Sequence, residues 1–414
     1  MKTLTKDGEI VLPPRWKQVP EARERPVRGR PFEVSVNELN SFQRCRRAWD
    51  ITSASRQSLH RIGMPVAALN IGSAVHYALA SHALGSDPEA SALVYFQQSV
   101  DQLQVQYREV IGAELSTQEW TALAEERDMV LGMIKAYFAR YGYTRPTKPY
   151  RIVAPEVTFR IPLVPDYDIF LVGTIDRVLV DADGNPIPGE IKTYKSKPNK
   201  TDWRFNHQIY GYAAALQLLT KKPVRYALYD GLRKKAPLRP NVLKDGTLSS
   251  AWIDTTHAIY RADLLELYGG DMSVLAHPAY APLLSRLKER DLSPDSAFHT
   301  RFRIPISQVA IEQWWDQAQA IAMEMAHDPR IYPNFPWDGC RMCRVRDLCH
   351  AIQGGEDTEY LLSQFAVGQT HTRQAKIVAT PATVRSVKDL AAYAGSLDPD
   401  QPFEISVTPE ADPA

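Results

Sequence analysis

All four cysteines of this 414-residue chain fall into a one-plus-three pattern: Cys45 stands alone, and Cys340, Cys343 and Cys349 form Cys-x2-Cys-x5-Cys near the other end. No thiol is left over. If one centre takes all four, it ties positions about 300 residues apart, so the fold must bring the two ends of the chain together. In a reducing compartment, clustered cysteines bind metal more often than they pair. Four thiolates suit either Zn²⁺ or an iron–sulfur cluster, and spacing alone does not decide between them. Structural zinc usually takes two Cys-x2–4-Cys knuckles, whereas these ligands split three and one.

The formal net charge is +1, so the molecule as a whole is not an electrostatic trap for nucleic acid. Any such binding rests on local patches at Arg23 to Arg30, at Lys192, Lys195, Lys197 and Lys200, and at Arg233-Lys234-Lys235. No run approaches the roughly 18 apolar residues that cross a bilayer, and the polar start lacks a signal-peptide apolar stretch. The expectation is a cytoplasmic protein with no membrane partner.

Periodicity gives an α/β chain. Residues 1–31 read as a flexible arm, rich in Pro and Arg. The stretch 32–150 reads as a helical region: Val36 to about Trp49 behind an N-cap at Ser35, Ala67–Leu84, and about 88–112 and 117–142. A Ser116-Thr-Gln-Glu119 capping box separates the last two. Period two then sets in for a core over 151–232. Its strands are Val153–Leu163, Ile169–Val180 and, after the Asp181-Ala-Asp-Gly184 turn, one through Glu190-Ile191-Lys192. Asp202–Leu219 is expected to be helical and Val224–Leu232 a strand. Residues 233–305 read as an insertion or subdomain, and 306–354 as an amphipathic helix from Ser307 to about His327 followed by the three-cysteine segment. Residues 355–414 read as a tail with one helix near Val384–Tyr393.

Hard divalent cations such as Mg²⁺ and Mn²⁺ want oxygen ligands, and neighbouring strands can supply carboxylates. Asp176 ends Gly173-Thr-Ile-Asp176, and Glu190 lies across the turn on the next strand. Lys192, two residues on, points to the same face as Glu190, where an ammonium can orient an attacking water and offset developing charge. Upstream, Gly72-Ser-Ala-Val-His76 puts an imidazole on a mostly apolar helix. Downstream, Gln208 and Tyr212 lie four apart on one helix face. Taken singly, each feature is also what ordinary packing or a surface lysine would produce.

Taken in order, Gly-x-x-x-His, Gly-x-x-Asp, Glu-x-Lys-Thr and Gln-x-x-x-Tyr resemble the RecB-like branch of the PD-(D/E)XK nucleases over roughly residues 35–352. The flanking cysteines look like those of its iron–sulfur members, which include CRISPR-associated RecB-like exonucleases and AddB-type nuclease domains. The resemblance implies a restriction-endonuclease-like core, a central mixed sheet flanked by helices, with a helical N-terminal part and a C-terminal cluster-binding segment. It implies a 4Fe–4S cluster on Cys45, Cys340, Cys343 and Cys349. It further implies Mg²⁺ or Mn²⁺ on His76, Asp176, Glu190 and the carbonyl of Ile191, with Lys192 serving the water and Gln208 and Tyr212 positioning the site or contacting DNA. Glu156, on the strand before, also falls where the family is often acidic.

The implied function is a metal-dependent DNA exonuclease acting on single strands or duplex ends in recombination, repair or DNA processing. The competing expectation is a non-catalytic nucleic-acid or partner-binding module stapled by the four-cysteine centre. No Gly-Lys pair occurs, so a Gly-x4-Gly-Lys-Ser/Thr phosphate loop is absent and a helicase or a recombination or CRISPR-adaptation partner would be a separate protein.

Overall fold

The computed structural model describes residues 3–4, 10–11, 31–53, 55–61, 67–108, 112–144, 149–293, 296–327, 329–335 and 340–367. The helix expected near Val384–Tyr393 and most of the N-terminal arm lie outside these residues. A two-residue ribbon, β1 (Thr3–Leu4) with β2 (Ile10–Val11), comes first. It is followed by β3 (Phe32–Ser35), α1 (Val36–Arg44) and α2 (Arg46–Thr52).

Ser35 caps α1 through a capping box with Glu38, as the sequence pattern indicates. The helix expected to run on to Trp49 is interrupted at Cys45, whose backbone is extended at φ −163° and ψ 110°. One helix therefore becomes two, with the thiol at the joint. After β4 (Leu59–Arg61) come three long helices, α3 (Ala67–Ala83), α4 (Pro88–Gln106) and α5 (Thr117–Tyr141). Ser116 and Glu119 cap α5 reciprocally.

The central sheet is mixed. It contains β3, β5 (Arg151–Val164), β6 (Ile169–Val180), β7 (Pro186–Tyr194), β8 (Tyr226–Arg233) and β9 (His299–Pro305). β3 runs parallel to β6 and β7 parallel to β8, while the β5–β6, β6–β7 and β8–β9 pairs are antiparallel. The stretch 233–305, read from sequence as an insertion, thus ends in a strand of the main sheet. Its remaining helices, α7 (His257–Leu267) and α8 (Ala281–Leu292), pack around a small core of their own that includes Tyr260, Leu264 and Leu287.

Helices cover both faces of the sheet. On one, α1, α6 (His207–Thr220) and α9 (Gln308–His327) bury Leu39, Tyr212, Ala213, Trp314 and Ala318 against Phe159, Ile175 and Tyr229. On the other, α3, α4 and α5 bury Val75, Met133, Tyr137 and Phe138 against Ile191 and Leu232. Each such large apolar side chain contributes roughly 1.5–3 kcal/mol. The helix expected from Asp202 starts later, because Asp202–Phe205 forms a 3-10 turn and Asn206 caps α6 by accepting from the Gln208 and Ile209 N–H groups. The chain ends in α10 (Arg346–Gly354), α11 (Glu359–Leu362) and β10 (Phe365–Val367), the last antiparallel to β4. Among the described residues no helix is long and apolar enough to cross a membrane.

Candidate metal and nucleic-acid site

A fork in the sheet builds the site. One edge of β6 pairs with β5 along its whole length, from Ile169 to Val180. The other edge is shared: Ile169–Val172 pair with β3, and Arg177–Val180 pair with β7. Gly173, Thr174, Ile175 and Asp176 fall between these two partners. At the point where β7 departs, the Asp176 side chain takes over, and its Oδ2 accepts the Ile191 N–H at 2.7 Å. Gly173 is a glycine because the Phe159 ring lies across it. A Cβ there would meet that ring at 2.8 Å, and the ring in turn stands edge-on to Tyr212.

Three ligand-type side chains converge on the fork. His76 Nδ1 lies 3.4 Å from Asp176 Oδ1. Ligand atoms of His76, Glu156 and Asp176 all lie within 4.8 Å of one another. Glu156 lies on β5 opposite Asp176, between the pairs Pro155–Arg177 and Val157–Ile175. Its φ of 47° is left-handed, a conformation that costs a non-glycine residue about 1–3 kcal/mol and concentrates at functional sites. Burial opposes charge on His76, but Asp176 outweighs it and holds the imidazole above its ordinary range. Burial likewise opposes charge on Asp176, and His76 outweighs it and holds the carboxyl low.

Glu190 and Lys192 lie alongside on β7. Glu190 is 1 % exposed, and neither carboxylate oxygen receives a hydrogen bond of acceptable geometry among the described residues. The Lys192 ammonium contacts Oε1 as an ion pair. Burial, followed by the Asp176 charge, pushes the Glu190 carboxyl up to about 7 even with Lys192 opposing. A buried carboxylate that Lys192 alone among the described residues contacts, next to a second carboxylate, is a cradle that favours a further cation. Oxygen-rich donors with one imidazole suit a hard divalent cation such as Mg²⁺ or Mn²⁺.

Of the residues singled out from sequence, His76 and Asp176 come together, Glu190 and Lys192 pair beside them, and Ile191 contributes its N–H to Asp176. Gln208 Nε2 donates to the Tyr212 hydroxyl at 2.7 Å. Burial, then the Glu190 charge, raises the Tyr212 pKa, so the phenol stays a neutral donor within electrostatic reach of the carboxylates. Gly72, the first residue of the Gly-x-x-x-His stretch, faces β7, where a Cβ would stand in ordinary contact with Thr193 Oγ1 at 3.4 Å.

A buried ionic network lies next to these residues and carries no motif. Asp230 on β8 is 0 % exposed and accepts from Arg177 Nη2 at 2.6 Å, from Arg301 Nη2 at 2.6 Å and from the Tyr137 hydroxyl at 3.0 Å. It joins β6, β8, β9 and α5 through Arg177, the neighbour of Asp176. Gly189 lies beneath the crossing: a Cβ there would meet the Arg177 Nε at 3.4 Å and the Leu179 side chain at 2.6 Å.

The four cysteines gather at the other end of the molecule. Burial raises the Cys349 thiol, Arg47 opposes that, and Cys45, Cys343 and Cys340 each add to it, so the other three thiols all lie within electrostatic reach of Cys349. All are half-buried and unpaired by disulfides. The packing that holds the two chain ends together is explicit. The Arg47 N–H donates to the Tyr332 carbonyl at 3.1 Å, Asn334 Nδ2 donates to the Gln43 carbonyl at 3.0 Å, and Arg46 pairs with Glu324. Ile51 packs with Val345 and Leu348 behind the cysteines. Among the described residues the thiols do not form a group as tight as the 4.8 Å one of His76, Glu156 and Asp176.

The protein-family model of the PD-(D/E)XK nuclease superfamily matches residues 33–350 of the chain. No curated protein matches it.

Proposed function

Since the chain belongs to the PD-(D/E)XK nuclease superfamily, whose model spans 33–350, we propose that it is a DNA exonuclease of the RecB-like branch, acting on single strands or duplex ends and built around a 4Fe–4S cluster. Membership of this superfamily makes the protein a metal-dependent nuclease. The observation that carries the reading is the forked strand, with Glu190 buried beside Asp176 and paired to Lys192.

His76, Glu156, Asp176 and Glu190 would hold the divalent cation, which when bound supplies charge neutralisation and polarises the scissile phosphate. The protein's own groups do the rest. Lys192, 36 % exposed at its side chain, reaches from the buried Glu190 toward solvent, so its ammonium can orient the attacking water and offset charge developing on the phosphate. The neutral Tyr212 hydroxyl, held by Gln208, can donate to a phosphate oxygen and fix the strand. Lys195 and Lys234 act on each other electrostatically, and with Lys197 and Lys200 they offer cations along the exit from β7 to a backbone carrying regular negative charge.

Cys45, Cys340, Cys343 and Cys349 would ligate the cluster, which clamps α1 and α2 to the segment after α9. The 4Fe–4S assignment is supported by the three-plus-one ligand split and the gathered thiols. The action in DNA processing, with any motor supplied by a separate partner, is supported by the ordered motif set.

Protein purified without oxygen tests this with end-labelled linear and covalently closed single-stranded DNA in Mg²⁺ or Mn²⁺. Linear substrate should be degraded and closed circles spared. Lys192→Ala and Glu190→Ala should each cut the rate by about 100-fold or more. Cleavage that survives both substitutions removes the site. Cys45→Ala should lower iron content and melting temperature together; zinc without iron in the wild type removes the cluster.

A further inference from the structure

A cavity of about 190 Å³ lies where α5 meets the α7–α8 subdomain, away from both centres already described. Its walls combine apolar groups with donors that lack partners. His299, 3 % exposed, lines it, and neither ring nitrogen meets hydrogen-bond geometry; the Ala136 carbonyl beside it falls outside that geometry. Arg140 also lines it. Its Nη2 donates to the Ser293 carbonyl at 2.9 Å, while Nε and Nη1 are buried without partners among the described residues. Orphaned buried donors of this kind cost about 1–3 kcal/mol each and call for a partner.

Two further elements point the same way. The first turn of α7 lines the cavity at His257 and Ala258; the His257 N–H goes to Asp291 and the Ile259 N–H to the Thr256 cap, which leaves the Ala258 amide and the positive end of the helix on that side. Lys288 on α8 stands exposed at its edge. The one carboxylate in the lining, Asp291, is engaged: Oδ2 accepts the His257 N–H at 2.7 Å, and Oδ1 faces Arg290 at 3.3 Å. Among the described lining residues, Arg140 and Lys288 are thus two cations against one committed anion, Asp291.

We propose that this cavity is a binding site for a phosphate group, either free inorganic phosphate or the phosphate of a mononucleotide. A carboxylate offers two oxygens. A phosphate offers three or four, enough to answer Arg140 Nε and Nη1, Lys288, an α7 amide and a His299 N–H together. The adjoining apolar wall, which includes Leu292 and Phe298, can take a sugar edge. The site holds whether or not the forked-strand centre cleaves DNA.

The test is calorimetric titration of the full chain in buffer without divalent cations, so that phosphate has no metal to bind at Asp176. The probes are inorganic phosphate and deoxyadenosine 5′-monophosphate. Wild-type protein should bind at least one of them saturably at one site. Arg140→Gln should weaken that binding about tenfold or more and Lys288→Ala about threefold or more, as expected for charge-assisted contacts, the inner one larger. Tighter binding of the nucleotide than of phosphate makes the ligand a mononucleotide; equal binding makes it phosphate alone. Absence of saturable binding by the wild type overturns the proposal, as does unchanged affinity in either variant. If Arg140→Gln does not fold, Lys288→Ala, altered only at an exposed side chain, decides alone.

Discussion

Replacing Asp230 by asparagine removes one charge from a fully buried group and leaves two guanidinium groups facing each other without it. Asp230 is 0 % exposed and takes hydrogen bonds at 2.6 Å from each of Arg177 and Arg301, which are themselves 4 % and 13 % exposed at their side chains. Breaking a buried ion pair from one side costs about 3–5 kcal/mol, because the remaining charge keeps its desolvation penalty and loses its partner. At about 1 °C per kcal/mol for a chain of about 400 residues, Asp230→Asn should lower the melting temperature by about 3–6 °C. The sign with pH is fixed. Burial opposes the charge on Asp230, but Arg301 and Arg177 outweigh it and hold the carboxyl well below the usual range. Its contribution is therefore complete above the unfolded pKa of about 4 and is lost as pH falls through and below that value. Denaturant unfolding of wild type and variant should show the full gap at pH 7 and a narrowing gap below pH 4. A difference under about 1 kcal/mol at pH 7 would refute the reasoning, since a surface-like pair is worth no more.

His299 is the second acid-sensitive group. Burial holds its pKa at about 4, below the unfolded 6.5, so stability is lost as pH falls from about 6.5 toward 4. The loss should reach about 2 kcal/mol by pH 5, seen as a shifted unfolding midpoint that His299→Gln no longer shows. Gly211→Ala puts a Cβ 2.5 Å from Val36 Cγ2 and 3.0 Å from the Trp314 ring, and this overpacking of α6 should cost about 1–3 kcal/mol in chemical denaturation. Glu156→Gln should weaken Mn²⁺ binding, read by calorimetry, about tenfold or more with little change in melting temperature. Unchanged affinity would place Glu156 outside the ligand set.

What the sequence discloses is what is decided locally. The capping boxes at Ser35 and Ser116 mark their helices because cap and partner lie three residues apart. β6 runs from Ile169 to Val180 as its period indicates, and the Asp181–Gly184 turn sets up its pairing with β7. The site motifs were legible for the same reason: Glu190 and Lys192 share a strand, Gln208 and Tyr212 a helix turn. The rest depends on partners far away in the chain. β3 has four residues and gains meaning only from β6 beside it. β9 and Arg301 look like the end of an insertion until Asp230 is placed opposite. Glu156 gave a weak signal in sequence, an acidic residue after Pro155 in a strand, and its left-handed backbone opposite Asp176 belongs to the folded sheet alone. Cys45 sits within a helical period, and the joint it makes between α1 and α2 answers to contacts with residues 332–349.

Those contacts also set a schedule. The ribosome adds about 5–20 residues per second, so Cys45 precedes Cys349 out of the exit tunnel by roughly 15–60 s. Through that interval α1 and α2 have neither Tyr332 and Asn334 to bond nor Val345 and Leu348 to cover Ile51. β4, too, waits for β10. The segment that carries α1 and α2 is thus made well before the residues that secure it, and until those emerge it holds an open thiol at Cys45 and leaves Ile51 without the cover of Val345 and Leu348.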